Sequence, residues 1–167
     1  MRIGILSDTH GVLDPRILDA LEGSDAIIHA GDVGAASVLR ELAGVTDQVL
    51  AVRGNNDVAS KWRGRRRALE SLPEALELDA PGGVIAIVHG HRVLPARHRH
   101  QRLRELHADA RAIVYGHSHR RVLDLDCTPW VINPGAAGKA RTFGGPSACV
   151  LVARPRRWTV EALVFDR

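Results

Sequence analysis

Aromatic side chains are scarce: three Trp, two Phe and one Tyr make up 4% of 167 residues. Binding single-stranded nucleic acid relies on such rings as stacking platforms, so their shortage weakens a base-stacking role. No apolar run approaches the ~20 residues of a membrane span, and Val84 to Val88 is typical of the longest. The opening stretch Met1 to Asp8 has too short an apolar segment for a secretory signal. These absences predict a soluble, cytoplasmic protein with no membrane partner. Lysine is nearly missing as well. Lys61 and Lys139 are the only two, so the formal net charge of +4 rests on arginine. That excess suits anionic ligands without demanding a nucleic acid. The two cysteines, Cys127 and Cys149, fit no metal-ligand spacing and are read as packing residues, reduced in the cytosol.

No repeat, low-complexity tract or Ser/Gly/Pro-rich linker divides the chain, so residues 1–167 are expected to form one domain. A chain of this size buries roughly 68–70% of its unfolded surface, enough to fold without disulfides. Strand-length runs are predicted at Arg2 to Ser7, Asp25 to Ala30 and Gln48 to Val52. Helices are predicted between them, the first opening at Asp14-Pro15 (N-cap, then proline at the first helical position) and the second over Val38 to Ala43. That β-α-β-α-β order is the signature of a parallel sheet. Beyond a variable middle come strands at Val84 to Val88 and Ala112 to Tyr115, with an arginine-rich helix near His98 to His107 between them. Short runs at 120–125, 129–132, 147–153 and 157–165 follow without helices, which predicts a largely antiparallel second half. The expected fold class is α/β: two mixed sheets packed as a sandwich, with helices outside.

Nine histidines stand out, and several sit where strands end. Five runs stop at a polar cluster beside glycine: Asp8/His10, Asp32, Asn55, His89/His91 and His117/His119. Ligands of open α/β sheets bind beyond the carboxyl ends of strands, so these clusters can converge. Carboxylate, amide oxygen and imidazole are all metal ligands, and the lack of thiolates argues against a cysteine-rich structural zinc site. Two divalent ions can clamp the attacking and leaving oxygens of a phosphoryl displacement. Asp32, alone at its strand end, is the natural bridging carboxylate. The Asp8-x-His10 and His117-x-His119 spacings would let alternating residues of extended backbone point the same way.

The ordered series Asp8-Thr9-His10, Gly31-Asp32, Gly54-Asn55-Asn56-Asp57, His89-Gly90-His91 and Gly116-His117-Ser118-His119 resembles the calcineurin-like metallophosphoesterase superfamily. With the short length and the Asn133-Pro134-Gly135 turn, it looks like the compact bacterial and archaeal phosphodiesterase branch. The resemblance implies a four-layer α-β-β-α fold and a dinuclear site. Asp8, His10, Asp32 and His119 would hold one ion; Asp32, Asn55, His89 and His117 would hold the other. Manganese is the expected metal, with nickel, iron, zinc and magnesium as alternatives. A hydroxide between the ions would be the nucleophile, and Asn55 would help hold the phosphate.

One departure matters. Many members carry histidine directly after the ligand asparagine, where it protonates the leaving group; here Asn56 stands there and cannot act as an acid. A phosphodiester substrate is therefore expected, with His91 the nearest alternative donor. Asp57 would orient its loop, Arg141 would steer phosphate, and His29 would be buried beside the site. His98, His100 and His107 are read as surface residues. The basic runs Arg63 to Arg67 and Arg92 to Arg111 are read as solvated faces. A phosphatase or nucleotide hydrolase of the same fold is the enzymatic alternative, and a protein-binding scaffold without catalysis the other. Small relatives self-associate, so a homo-oligomer stays open.

Overall fold

The computed structural model describes residues 1–139 and 141–166. Its first half runs β1 (Arg2–Leu6), α1 (Pro15–Ala20), β2 (Ala26–His29), α2 (Ala36–Ala43) and β3 (Val49–Ala51). Asp14 caps α1 as expected, its side chain accepting from the Arg16 amide with proline at the first position. Next come α3 (Arg66–Glu70), β4 (Ala75–Ala80), β5 (Gly83–Val88), α4 (Arg99–Leu106) and β6 (Ala112–Val114). The chain closes with β7 (Val122–Asp124), β8 (Trp130–Asn133), β9 (Ser147–Ala153) and β10 (Trp158–Val164). No helix among the described residues is long and apolar enough to cross a membrane.

Two five-stranded sheets form, in the orders β10-β9-β1-β2-β3 and β4-β5-β6-β8-β7. In the first, β1, β2 and β3 are parallel and β9 and β10 antiparallel. The inner faces pack Ile3, Ile5, Ile28 and Leu151 against Ile85, Ile87, Val114 and Ile132. Helices α1 and α2 cover the outer face of the first sheet through Ile17, Val38 and Leu42. Leu103 of α4 covers the second, against Ile113 and Val131. The layers are therefore helix, sheet, sheet, helix, as expected.

The second half is largely antiparallel, as predicted, in the pairs β4–β5, β7–β8, β1–β9 and β9–β10, but its sheet has a parallel core. β5, β6 and β8 are parallel, and only the edge strands β4 and β7 run against them. Helix α4 supplies one crossover and β7 lies within the next, so consecutive short runs concealed a parallel core. The variable middle also holds α3 and β4. The strand was hard to read because its Glu77 and Asp79 point away from the buried Leu78. Cys149 packs in the core, but Cys127 is exposed, not a packing residue. His100 is also no simple surface residue: its Nδ1 lies 2.7 Å from the Asp124 carboxylate and its Nε2 2.9 Å from the Tyr115 hydroxyl. The basic stretch is partly structural, since Arg99 is buried and Arg104 pairs with Asp124 at 2.7 Å.

Candidate metal centre

Parallel strands β1, β2, β3, β5 and β6 all end at one edge of the sandwich, and each delivers its polar cluster there. The loops are zipped together by backbone bonds: Asp8 donates to the Gly31 carbonyl at 3.0 Å, His10 to Asp32 at 3.0 Å, and Gly116 to His89 at 3.2 Å. Asp8 in turn accepts the His117 amide at 3.0 Å and lies 2.7 Å from the Ser7 hydroxyl. Buried Asn133, at the end of β8, braces the same edge by donating to the Gly116 carbonyl and accepting from Gly135.

Six non-glycine residues among those described have left-handed backbone: Asp8, His10, Asp32, His117, His119 and Arg141, with φ between 48° and 69°. Each such residue costs on the order of 1–3 kcal/mol and persists only where its surroundings impose it. All six are candidate site residues. The finding also corrects the expected extended geometry of the two His-containing spacings. Because the backbone turns at both histidines of the last loop, His117 and His119 serve different groups.

One group brings together Asp8, His10, Asp32 and His119. One ligand atom from each lies within 4.8 Å of all the others. The second group is centred on Asn55, whose Oδ1 is 3.1 Å from His89 Nε2 and 3.0 Å from His117 Nδ1. Asp32 joins the two: its Oδ2 is 3.5 Å from His89 and 3.7 Å from His10. The structure thus brings Asp8, His10, Asp32, Asn55, His89, His117 and His119 together at one edge.

The proton inventory shows why a cation fits. His89 Nδ1 lies 2.8 Å from the Ala30 carbonyl, which can only accept, so Nδ1 carries a proton. Its Nε2 faces the acceptor oxygens of Asn55 and Asp32, a position that calls for positive charge, which a ring proton or a bound cation can supply. In the other group, His10 Nε2 and His119 Nε2 face one another at 3.1 Å. Converging imidazole nitrogens and carboxylate oxygens can hold a cation, and nitrogen with oxygen donors suits a divalent transition ion. Burial pushes the Asp8 carboxyl up to about 7. Burial acts the same way on Asp32, but the neighbouring His89 and the Asn56 donors outweigh it and hold the group well below the usual carboxylate range.

The neighbouring residues are placed as well. Asn56 donates to Asp32 twice, from its backbone at 2.8 Å and its Nδ2 at 2.7 Å, while its Oδ1 accepts from Lys61 at 2.6 Å. Lys61 carried no sequence signal, being an exposed residue in a basic loop. Asp57 is buried and accepts from Val33, Gly34 and Gly54 amides, holding two site loops together as expected. Arg141 Nη2 lies 3.1 Å from His119 Nε2 and 3.4 Å from His10 Nε2. His91 stacks at a tilt 5.4 Å from His89 and 6.2 Å from His117. Fully buried His29 touches the Thr9 hydroxyl at 2.9 Å.

The calcineurin-like phosphoesterase superfamily domain matches residues 1–154. Phosphodiesterase MJ0936 of Methanocaldococcus jannaschii is 29% identical over 147 residues, covering 81% of this chain and 83% of its own length. A probable metallophosphoesterase of Methanothermobacter thermautotrophicus is 30% identical over 160 residues, covering 90% of this chain and 85% of its own. Among solved structures, wild-type Vps29 of Entamoeba histolytica complexed with Zn2+ matches with a TM-score of 0.76 at 17% identity, over 98% of each chain. That likeness concerns the fold alone. With the profile spanning nearly the whole chain and the strand-end residues gathered at one edge, the chain belongs to the metal-dependent calcineurin-like phosphoesterase superfamily.

Proposed function

We propose that the protein is a phosphodiesterase with a dinuclear centre. Asp8, His10, Asp32 and His119 hold one divalent ion, Asp32, Asn55, His89 and His117 hold the other, and Asp32 is shared. Two such ions, manganese by expectation, supply when bound the positive charge that acidifies a water and offsets charge on phosphate oxygens. The observation that carries the reading is the convergence of ligand atoms from Asp8, His10, Asp32 and His119 within 4.8 Å of one another, beside Asn55 with His89 and His117 at 3.1 and 3.0 Å.

The chain's own residues favour a diester. Hydrolysis forms a bond from water oxygen to phosphorus and breaks the ester bond, and the departing oxygen takes up a proton. Asn56 has no proton to give, and both ends of its amide are already engaged by Asp32 and Lys61. Leaving groups that depart without protonation suit such a site better than alkyl monoesters. His91, lining the cavity beside Asn55, is the imidazole placed to supply a proton where one is needed. A binding scaffold is the competing reading, yet scaffolding gives no reason to gather four potential metal ligands on strained backbone. Hydrolysis of aryl diesters and aryl monoesters by protein reconstituted with manganese, nickel, zinc or magnesium tests the proposal. Diesters should be cleaved faster, and only with metal. A tenfold preference for monoesters, or no hydrolysis with any metal, would overturn it.

A further inference from the structure

A cavity of about 550 Å³ opens directly off the second ligand group, with Asn55 and His91 in its wall. That volume falls within the usual range for small-molecule sites. It far exceeds what a bare phosphate needs. Its apolar lining is aliphatic (Val58, Ala59 and Leu69), with no Phe, Tyr or Trp. A ligand arm held there by ring stacking is therefore disfavoured.

Hydrogen-bond supply and demand define what fits. Three guanidinium groups line the cavity, from Arg53, Arg66 and Arg92. Arg53 gives one Nη2 bond to the Leu69 carbonyl, and its buried Nε has no acceptor. Arg92 reaches only Glu74, at 3.3 Å between two exposed side chains, a pair worth little and easily exchanged. Exposed Arg66 makes no hydrogen bond or ion pair with any described residue. His91 Nδ1 is likewise buried without a partner.

Three carboxylates also line the cavity, and one of them, Asp57, is fully engaged by the backbone. Asp57 accepts three backbone amides, and Glu74 is released whenever Arg92 turns to a ligand. Glu70 and Glu74 then face three guanidinium groups, which leaves N–H donors in surplus. A ligand arm that complements this wall brings oxygen acceptors and negative charge, and paired guanidinium N–H groups match phosphate or carboxylate oxygens geometrically.

Resting on the phosphodiesterase reading, we infer that this cavity receives one ester arm of the substrate and that the arm carries a second anionic group, a phosphate or carboxylate. The preferred substrates are diesters with a terminal anion, rather than neutral diesters. Arg66 and Arg92 are the residues that select them.

The test compares two probes that differ only in a terminal phosphate: deoxythymidine 5′-(p-nitrophenyl phosphate) and its 3′-phosphorylated analogue. Both release nitrophenolate from metal-reconstituted protein. The phosphorylated probe should show at least about tenfold higher kcat/KM. A hydrogen bond to a charged group contributes about 1.5–3 kcal/mol, near or above the 1.4 kcal/mol of one decade. That preference should shrink at least fivefold in Arg66→Gln and in Arg92→Gln, with Arg66→Lys retaining part of it. Arg67→Gln lies on the same helix but outside this cavity and controls for general charge attraction. A wild-type ratio near one would overturn the subsite, as would an equal loss in Arg67→Gln. Failure to hydrolyse either probe would instead overturn the phosphodiesterase reading.

Discussion

Gly54→Ala adds one methyl group at the tightest point of the centre. Gly54 precedes the ligand Asn55, and a Cβ there would lie 2.1 Å from Asp32 Oδ1 and 2.2 Å from the Asp32 backbone nitrogen. Ordinary van der Waals contact begins near 3.4 Å, so one side must retreat by about 1.3 Å. A flexible side chain tip can move aside cheaply, but here the second obstacle is backbone. Asp32 is held by both Asn56 donors and by left-handed geometry, and its own amide is pinned in the clash. Overpacking of this kind costs about 1–3 kcal/mol. For a chain of this length that corresponds to a fall in Tm of roughly 2–12 °C. The functional loss should exceed the loss of stability, because productive sites tolerate only about 0.5 Å of displacement. Scanning calorimetry with and without manganese, beside metal content per chain, separates the two effects. Gly54→Ala should fold with a lowered Tm, show little metal-induced stabilisation and retain one ion or fewer. Gly44→Ala provides a control, since its nearest neighbour is a helix carbonyl at 3.2 Å, away from the site. Wild-type metal stoichiometry in Gly54→Ala would refute the claim that Asp32 must sit where it does.

Asp32→Asn should lower diester turnover roughly 10³-fold, by more than Asn55→Ala or His119→Ala, because Asp32 alone belongs to both groups; near-wild-type turnover with excess metal would contradict the shared assignment. Asn56→His should raise turnover of alkyl esters more than of activated aryl diesters, up to the 10²–10⁴-fold typical of general acids, and an unchanged leaving-group dependence would show that another acid already serves. His29 gives a pH signature. Burial pushes its pKa down to about 3 from an ordinary 6.5. Thr9 Oγ1 donates to the Val33 carbonyl, so His29 Nε2 must carry the proton that reaches Thr9, and a second proton on Nδ1 would find no acceptor. The unfolded chain therefore binds a proton below about 6.5 that the folded chain refuses. Wild type should lose about 2–3 kcal/mol more than His29→Gln between pH 6.5 and 4, read from urea denaturation. A constant difference across that range would remove His29 from the acid lability.

The layout of the centre was legible because each strand-end motif is local. A strand stops, a glycine turns, and a ligand follows within two residues. The two sets were assigned through family resemblance, and the structure brings the same residues together. What escaped was non-local or conformational. Left-handed backbone at His117 and His119 depends on loop-to-loop bonds that spacing does not encode. Parallel pairing of β6 with β8 was hidden because β7 lies between them in sequence. The Lys61 contact with Asn56 and the His100 bridge between Asp124 and Tyr115 arise only once separated elements meet. Isolated charged residues carry no signal for such partners.

The central claim is a catalytic pair of metal ions, and one titration tests it most directly. Metal-free protein is loaded stepwise with manganese, and hydrolysis of bis(p-nitrophenyl) phosphate is plotted against bound ions per chain. Activity should remain low through the first equivalent and reach its plateau near two. A plateau at one ion, or hydrolysis that never rises with bound metal, would contradict the account.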